Sequence, residues 1–301
     1  MNSVSDDRTD VGKVEKVRVK AVLEYDNTPL DAHDIVQINH VQALWDADAK
    51  SFWIPFKLDT VGRMGFLVTK AQQTKHNITV LYDPVGSKSI IWDELEVYDS
   101  GATATRCNMG SDQRIWVKLR YEYDDVVFDG AKGSVSIGGK SSTWDTSNDY
   151  WYISDSRSTV GENDYVTPFS IVDDTYGLTS LSGQTTKSVI WDRVQVTLAT
   201  AQDRVEVGTS APLMWTGAYD YDGVAFNGNL ALSEELVKES IGRFNYAVRK
   251  ISDPLYDLKA FTSNNVDVIF DKIIPDLRVE TMIPGDIKPI VKLGINLIAL
   301  P

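Results

Sequence analysis

Cysteine is nearly absent from this chain: Cys107 is the only one among 301 residues. A single cysteine excludes an intrachain disulfide and a thiolate zinc site. The three histidines, His33, His40 and His76, do not have the spacing of metal ligands. The motifs of nucleophile elbows, phosphate loops and zinc proteases are also missing from the sequence. The sequence therefore favours a protein that is not an enzyme.

Positive charge is scarce as well. The chain carries 30 Lys and Arg against 43 Asp and Glu, which gives a net charge of −13. Nucleic acid and anionic lipid bind to clustered cations, so we expect neither as a partner. No stretch of the sequence approaches the ~18 apolar residues of a membrane helix, so we expect no membrane insertion.

The first seven residues lack the basic and apolar regions of a signal peptide. Yet an internal repeat begins directly at Arg8, where later copies of the repeat follow a preceding domain. We therefore expect the sequence to be a piece of a longer chain. The missing leader is then weak evidence against export.

What the sequence does contain is an internal repeat with a period of 98 residues. An Arg-x-x-x-Gly motif recurs at 8–12, 106–110 and 204–208, and a triplet of acidic residue, Tyr and Asp recurs at 24–26, 122–124 and 220–222. A fixed period of this size indicates tandem copies of one small domain, each about as long as a typical β-sandwich. We predict three domains at 5–103, 104–202 and 203–277, followed by a segment at 278–301 that resembles the start of a fourth copy.

Within each copy the hydrophobic pattern is that of strands. Residues 17–25 and 115–123 alternate apolar and polar side chains, as in a strand with one buried face. Turn-forming residues follow, and then a Trp hairpin and a closing strand such as 91–97. Only 233–243 suggests a short helical turn. These patterns predict an all-β chain of tandem antiparallel β-sandwich domains.

The third copy is shorter than the other two. From the Asp of the triplet to a later Gly there are 36 residues in the first copy, 37 in the second and 20 in the third. The loss falls where the Trp hairpin belongs, so we expect a trimmed sandwich with an uncovered sheet edge. We expect the apolar residues of 278–301 to pair with a sheet edge, either in the third copy of the same chain or in another subunit by donor-strand exchange.

The tryptophans of the hairpins, Trp45 with Trp53 and Trp144 with Trp151, have two interpretations. As cross-strand pairs they pack the hairpin, and as an exposed platform they stack on a sugar ring. Asn77 begins the sequon Asn-Ile-Thr, which makes it a candidate glycosylation site on an exported chain.

Each closing strand also carries an aspartate. These aspartates are Asp93, Asp192 and Asp271. The first two share a strand face with apolar residues, and a carboxylate aimed at a core must be paired or hydrogen-bonded. We expect these aspartates to cap backbone amides or to pair with the repeated arginines. The alternative is a structural Ca²⁺ ion shared between neighbouring domains, and we expect no other cofactor. The expected arginine partners are Arg8, Arg106 and Arg204.

Three short motifs are similar to those of a known family. They are the Arg-x-x-x-Gly opening at 204–208, the Tyr-x-Tyr-Asp strand end at 219–222 and the Ile-Trp-Asp-Arg-Val closing strand at 190–194. With them the chain resembles the tandem immunoglobulin-like repeats of archaeal cell-surface proteins of the S-layer or adhesin type. The resemblance covers nearly the whole chain and implies an extracellular location at the cell surface. It carries over no catalytic residue and no ligand.

Two functions are compatible with these observations. The first is a non-catalytic structural segment of a surface layer, stalk or filament, whose partners are neighbouring repeats or further copies of the chain. The second is an adhesin or carbohydrate-binding module that uses the Trp hairpins of the first two repeats to bind a glycan.

Overall fold

A computed structural model of the protein describes residues 8–80 and 87–277. Within these residues the chain forms strands, turns and loops and contains no helix, so none is present that is long and apolar enough to cross a membrane. The strands build immunoglobulin-like sandwiches in tandem, and the predicted all-β fold class is confirmed. The predicted strand segment at 278–301 lies outside the described residues.

The prediction of a short helical turn at 233–243 was wrong. The backbone there forms hydrogen bonds across to the start of the third repeat rather than along a helix. Gly208 N donates to Lys238 O at 2.8 Å, and Ala211 N donates to Leu236 O at 2.7 Å.

The first repeat contains ten strands among its described residues. They are β1 (Arg8–Asp10), β2 (Glu15–Val19), β3 (Ile35–Ile38), β4 (Val41–Gln42), β5 (Leu44–Asp46), β6 (Ser51–Phe56), β7 (Gly62–Phe66), β8 (Val68–Gln73), β9 (Ile78–Val80) and β10 (Lys88–Asp93). Their hydrogen-bonded orders are β2-β6-β5, β1-β10-β7 and β4-β3-β8-β9.

The second repeat has the most complete sheets. Its strands are β11 (Leu95–Ala102), β12 (Arg106–Asn108), β13 (Gln113–Tyr121), β14 (Gly133–Ile137), β15 (Lys140–Ser141), β16 (Thr143–Asp145), β17 (Tyr150–Asp155), β18 (Gly161–Thr167), β19 (Ser170–Asp173), β20 (Leu181–Ser182) and β21 (Thr185–Asp192). One layer has the order β16-β17-β13-β11-β20, and the other contains β12-β21-β18 and β15-β14-β19. The chain crosses from the first layer to the second between β11 and β12, and β12 pairs in parallel with the closing strand β21. This arrangement of antiparallel layers is that of an immunoglobulin sandwich.

The third repeat has an open sheet edge. Its strands are β22 (Val194–Thr200), β23 (Arg204–Glu206), β24 (Leu213–Tyr219), β25 (Asn229–Leu232), β26 (Gly242–Tyr246), β27 (Val248–Ser252), β28 (Phe261–Ser263) and β29 (Val266–Asp271). Among the described strands β24 pairs with β22 alone, whereas β13 lies between β11 and β17. The edge is open where the second repeat carries the hairpin β16–β17.

Each sandwich has a core of its own, formed by the inward-facing side chains of its two layers. The repeated aromatic residue of the closing strand, Trp92, Trp191 or Phe270, is fully buried in each. The two indole N–H groups donate at 2.9 Å to main-chain oxygens of Lys13 and Ser111, which follow β1 and β12. The repeated Trp-Asp motif therefore ties the end of each of these two sandwiches to its own beginning.

Consecutive sandwiches are joined by one residue. β10 ends at Asp93 in the first sandwich, and β11 begins at Leu95 in the second, where it pairs with β13. Likewise, the closing strand of the second sandwich ends at Asp192, and the first strand of the third begins at Val194, so one residue joins them. The predicted closing strand 91–97 is thus two strands of different sandwiches. By strand pairing, the junctions lie at residues 94 and 193, whereas the predicted domain boundaries follow residues 103 and 202.

Candidate functional site at the repeat junctions

The first junction is built around the side chain of Arg8, which is only 6% exposed. The parallel pairing of β1 with β10 places Arg8 beside the end of the closing strand. One guanidinium nitrogen, Nη1, donates to Asp93 Oδ2 of the same sandwich at 3.0 Å, and Nη2 donates to Asp124 Oδ2 of the next sandwich at 2.6 Å. A single cation therefore bridges carboxylates of two consecutive repeats.

Three tyrosine rings of the second repeat surround this guanidinium. The Arg8 Cζ atom lies 4.5 Å from the ring centroid of Tyr176, 5.2 Å from that of Tyr121 and 5.8 Å from that of Tyr123. Tyr121 is itself fixed, because its hydroxyl donates to Asp173 at 2.9 Å. Cation–π attraction is strongest when the cation is shielded from water, as it is here.

The second junction has a similar set of contacts around Arg106, without the hydrogen bond that Arg8 donates to its own closing strand. Its guanidinium lies 4.6 to 5.7 Å from three tyrosine ring centroids of the third repeat, and its Nη2 donates to Asp222 at 2.5 Å. The ion pair with Asp192 is longer than its counterpart, at 3.8 Å. The three rings belong to Tyr219, Tyr221 and Tyr256.

Backbone groups of the following repeat add further contacts to both junctions. Asp93 Oδ1 accepts from Tyr123 N at 2.9 Å, and Asp192 Oδ1 accepts from Tyr221 N at 3.0 Å. The side chains two residues after each arginine also reach across: Asp10 accepts from two amides of the second repeat, and Asn108 accepts from two amides of the third. These amides belong to Thr179 and Ser180, and to Lys259 and Ala260.

The carboxylates of the first junction have pKa values shifted in opposite directions. Burial raises the pKa of Asp93 above its ordinary value, against the opposing effect of two amide hydrogen bonds and Arg8. The hydrogen bond from Arg8 lowers the pKa of Asp124, which is more exposed. Burial by itself would lower the pKa of Arg8. The two carboxylates, Asp124 and Asp93, outweigh this effect and raise the pKa of Arg8 above its ordinary value. The arginine thus stays charged and compensates a carboxylate that has no access to water.

The structure does not bring the four predicted tryptophans together as two exposed pairs. The strand register places Trp45 opposite Phe52 and Trp53 opposite Leu44, so Trp45 and Trp53 lie on opposite faces of their hairpin. Trp144 does lie opposite Trp151, with ring centroids 5.4 Å apart.

Trp151 is a core residue whose indole N–H donates to Phe128 O at 2.9 Å, and Trp144 is half-buried beside it. Trp53 is half-buried under the ammonium of Lys16, and Trp45 packs on Phe52. Ligand binding by the four tryptophans stays a prediction.

The three predicted metal-binding aspartates each pair with the expected arginine of their own repeat, Asp271 with Arg204 at 2.9 Å. They lie at the ends of three different sandwiches. Among residues 8–80 and 87–277, no group of three or more His, Cys, Asp or Glu side chains is placed to hold a metal ion. Calcium binding stays a prediction. So does glycosylation of Asn77, which lies in the exposed turn between β8 and β9 with a φ of 53°.

The tyrosines that complete the two junctions were not among the predicted site residues. Their signal is present in the sequence as a second repeated pattern, Asp-x-x-Tyr, at 173–176 and 253–256. The pattern is absent from the first copy, where residues 73–76 read Gln-Thr-Lys-His. It therefore escapes a search for motifs shared by all three copies.

No family model and no curated protein matches this chain. Among solved structures, the Escherichia coli adhesin FdeC is 11% identical over 89% of this chain and 95% of its own, with a TM-score of 0.34. A fragment of the titin I-band is 8% identical over 86% and 95%, with a TM-score of 0.32. The full ectodomain of mouse nectin-like molecule 4 is 12% identical over 91% and 99%, with a TM-score of 0.26. Likenesses this distant do not assign a function to the chain.

Proposed function

We propose that the chain is a non-catalytic structural segment of an extracellular cell-surface array, such as a surface layer, stalk or filament. The observation that carries this proposal is the repetition of one junction. Arg8 and Arg106 each join two sandwiches through the same types of carboxylate and tyrosine ring. Nearly identical junctions in series favour a row of domains with a constant orientation between neighbours.

The short connection supports stiffness. A single residue, Glu94 or Arg193, separates the closing strand of one sandwich from the first strand of the next. Neighbouring domains of a chain usually move relative to one another unless a large, hydrophobic interface restrains them. Here each junction instead combines a bridging cation, three tyrosine rings around that cation and backbone hydrogen bonds, which oppose bending in more than one direction. A stiff row of this kind is suited to holding a distance from a surface.

Small-angle X-ray scattering of the monomer tests this stiffness. We expect the wild-type chain to fit a narrow distribution of maximum dimensions. The double variant Arg8→Met with Arg106→Met removes both bridging cations, and we expect a wider distribution with strand content unchanged by circular dichroism. Arg114→Met with Arg243→Met is the matched control, because each of these arginines pairs at the surface with an aspartate of its own sandwich. A wild-type distribution as wide as that of the junction variant would contradict the proposal.

A second candidate function, carbohydrate binding, is favoured by one observation in the second repeat. A cavity of about 650 Å³ opens beside the half-buried ring of Trp144, and polar side chains of Asp129, Thr146 and Asp149 also line it. An aromatic ring beside hydrogen-bonding groups is a common arrangement for a small polar ligand.

Titration against a panel of soluble oligosaccharides tests this candidate. A saturable signal that is lost in Trp144→Ala and kept in Trp53→Ala supports it, since Trp53 lies in the first repeat. Binding that both variants retain, or no binding by the wild type, rules out this site.

A further inference from the structure

The cavity beside Trp144 carries negative charge. Its lining contains two carboxylates, Asp129 and Asp149, and none of its described lining residues is cationic. Asp129 is already compensated, because its Oδ2 accepts from Lys132 Nζ at 2.7 Å and its Oδ1 accepts from Ala131 N at 3.0 Å. The charge of Asp129 is therefore used within its own turn.

Asp149 is the carboxylate that remains available to a ligand. It is exposed in the turn between β16 and β17, and in the part of the chain that the structure describes it forms no ion pair. Its charge also acts on a neighbouring ring: burial raises the pKa of Tyr98, and the negative charge of Asp149 raises that pKa further. A positive group bound in the cavity would thus meet a carboxylate that has no other partner.

The indole of Trp144 supplies the second part of the site. A Cβ atom on Gly130 would lie 3.1 Å from Trp144 Cβ, so the tryptophan packs closely against the backbone of this glycine. On another side its ring centroid lies 5.4 Å from that of Trp151. The part of the ring that stays exposed borders the cavity. Such a ring can attract a cation and can stack on the apolar face of a sugar.

The corresponding hairpin of the first repeat has the opposite charge at this position. Trp45 corresponds to Trp144, since each lies opposite the second residue of the following strand. Lys50 corresponds to Asp149, because both end the turn with a positive φ, of 47° and 52°. The two hairpins keep the tryptophan and reverse the charge beside it. The free carboxylate is therefore particular to the second repeat and is not required by the fold.

We propose that the cavity beside Trp144 binds an amino sugar, with the sugar ring against the indole and the protonated amine toward Asp149. Thr146 and Asp129 line the same cavity and can form hydrogen bonds with sugar hydroxyl groups. An acidic sugar is disfavoured, because its carboxylate would lie near that of Asp149. This inference rests on the carbohydrate-binding candidate and extends it by naming the class of sugar.

The methyl β-glycosides of glucosamine, glucose and glucuronic acid test the charge preference. They share one type of ring and carry a positive charge, no charge and a negative charge at about pH 6. The indole N–H signal of Trp144 in a proton–nitrogen correlation NMR spectrum of the full chain reports binding at the cavity, and Trp144→Phe assigns that signal. We expect the glucosaminide to bind about fivefold more tightly than the glucoside, since an exposed charge pair is weak, and the glucuronide to bind least.

Variants of Asp149 separate this contact from a general attraction of cations to an acidic protein. Asp149→Asn should abolish the preference for the glucosaminide over the glucoside. Asp149→Lys copies the charge of the first repeat and should reverse the preference in favour of the glucuronide. The matched control is Asp112→Asn, which removes an exposed carboxylate just before β13 begins and should bind like the wild type. The cavity lies near the other end of β13, where Val127 pairs with Arg120.

Equal binding of the glucosaminide and the glucoside by the wild type would overturn the amino-sugar proposal and leave carbohydrate binding in place. A preference that survives in Asp149→Asn would overturn it as well. Butylamine carries the same charge without a sugar ring, and binding as tight as that of the glucosaminide would contradict a role for the ring. If no glycoside moves the Trp144 signal, the site itself is rejected together with the preference. The stiffness measured by scattering is independent of all these results.

Discussion

Asp93 shows at the scale of one residue why the repeated arginine is needed. Its side chain has 0% exposure, and burial raises its pKa because a charge without water is unfavourable. Two amides and the guanidinium of Arg8 supply the compensation. Such a pair contributes little net stability compared with an apolar pair, but breaking it leaves a buried charge alone. The orientation of the two sandwiches is thus tied to keeping Arg8 in place.

Replacing Arg8 by Met should loosen the first junction. We expect a loss of about 3 kcal/mol in the local free energy of opening, because Asp93 is left buried without its cation. Hydrogen exchange of the Glu94 and Tyr123 amides, which both donate to Asp93, measures this loss. Arg114→Met is the control: its ion pair with Asp145 is half-exposed, so the cost should stay below about 1 kcal/mol. Equal effects of the two variants would contradict the assigned role of Arg8.

The junctions should also weaken in acid. Arg8 lowers the pKa of Asp124 and Arg106 lowers that of Asp222, through hydrogen bonds to both carboxylates. A carboxyl group with a depressed folded pKa contributes stability above its unfolded pKa of about 3.9 and loses that contribution as pH falls through the folded pKa. Burial raises the pKa of Asp93 and Asp192, so their protonation acts in the opposite sense and occurs first.

Comparing the wild type with Asp124→Asn isolates the contribution of Asp124. We expect the difference in unfolding free energy between the two proteins to be largest near neutral pH and to shrink below about pH 4. Urea unfolding at several pH values measures it. Asp149→Asn, in the turn between β16 and β17, serves as the control. A difference that grows on acidification would mean that the assigned sign is wrong.

At the scale of elements, the close approach of strands depends on particular glycines. Gly133 begins β14 opposite β19, and a Cβ atom there would lie 2.0 Å from the Val172 carbonyl oxygen and 2.8 Å from the Phe128 ring. The carbonyl belongs to the backbone and cannot rotate away. The third repeat has the same constraint at Gly228, where a Cβ would lie 2.2 Å from the Ser252 oxygen. These glycines allow the two strands to pair closely over an aromatic side chain.

Gly133→Ala should therefore destabilise the second sandwich. Relieving the contact requires a backbone shift, and overpacking of this kind costs about 2 kcal/mol. Gly65→Ala in β7 is the matched control, since a Cβ there meets no atom within 4 Å. Urea midpoints of the two variants provide the measurement. If Gly133→Ala were as stable as Gly65→Ala, the strand spacing described for β14 and β19 would be incorrect.

At the scale of the whole molecule, the acidic surface and the aspartates of the closing strands raise the question of calcium. The net charge is −13, and a bound cation would relieve repulsion. Asp93, Asp192 and Asp271, however, each face an arginine and lie in three separate repeats. A guanidinium already supplies the positive charge at each position. Among the described residues, these three carboxylates are therefore not brought together around one cation site.

Thermal unfolding with millimolar Ca²⁺ and with excess chelator should give the same melting temperature. Since a ligand that binds the folded state stabilises it by mass action, a shift between the two curves would reveal a bound ion. A higher melting temperature in Ca²⁺ that disappears in Asp271→Asn would contradict this expectation and place the ion at the end of the third repeat.

The sequence predicted the fold because the period of 98 residues is kept through all three copies and the strand alternation is kept at 17–25 and 115–123. It could not predict the junctions in the same way. Arg8 and Asp124 are 116 residues apart, as are Arg106 and Asp222. Both partners recur with the same period, so the sequence permits pairing within one copy or across two. Only the packing of consecutive sandwiches decides between them.

Two other differences have a geometric cause. The alternation of 91–97 continues across Glu94, so the pattern does not record that the chain changes sandwiches there. In the hairpins, Trp144 and Trp151 are seven residues apart and face each other, whereas Trp45 and Trp53 are eight apart. A shift of one residue moves a side chain to the other face of a strand. The two hairpins are similar in sequence, but their tryptophans lie on one face in the second repeat and on opposite faces in the first.

The parallel pairing of the arginine-bearing strand with the closing strand has a consequence for how each repeat responds to tension. β1 lies alongside β10, β12 alongside β21, and β23 alongside β29. In the second and third repeats the chain passes first through β11 or β22, then reaches one member of such a pair, and leaves the sandwich along the other. We therefore expect a pull on the two ends to act along these strands, so that the hydrogen bonds between them share the load. We expect each repeat to resist tension most strongly at the same strands that carry its arginine and its aspartate.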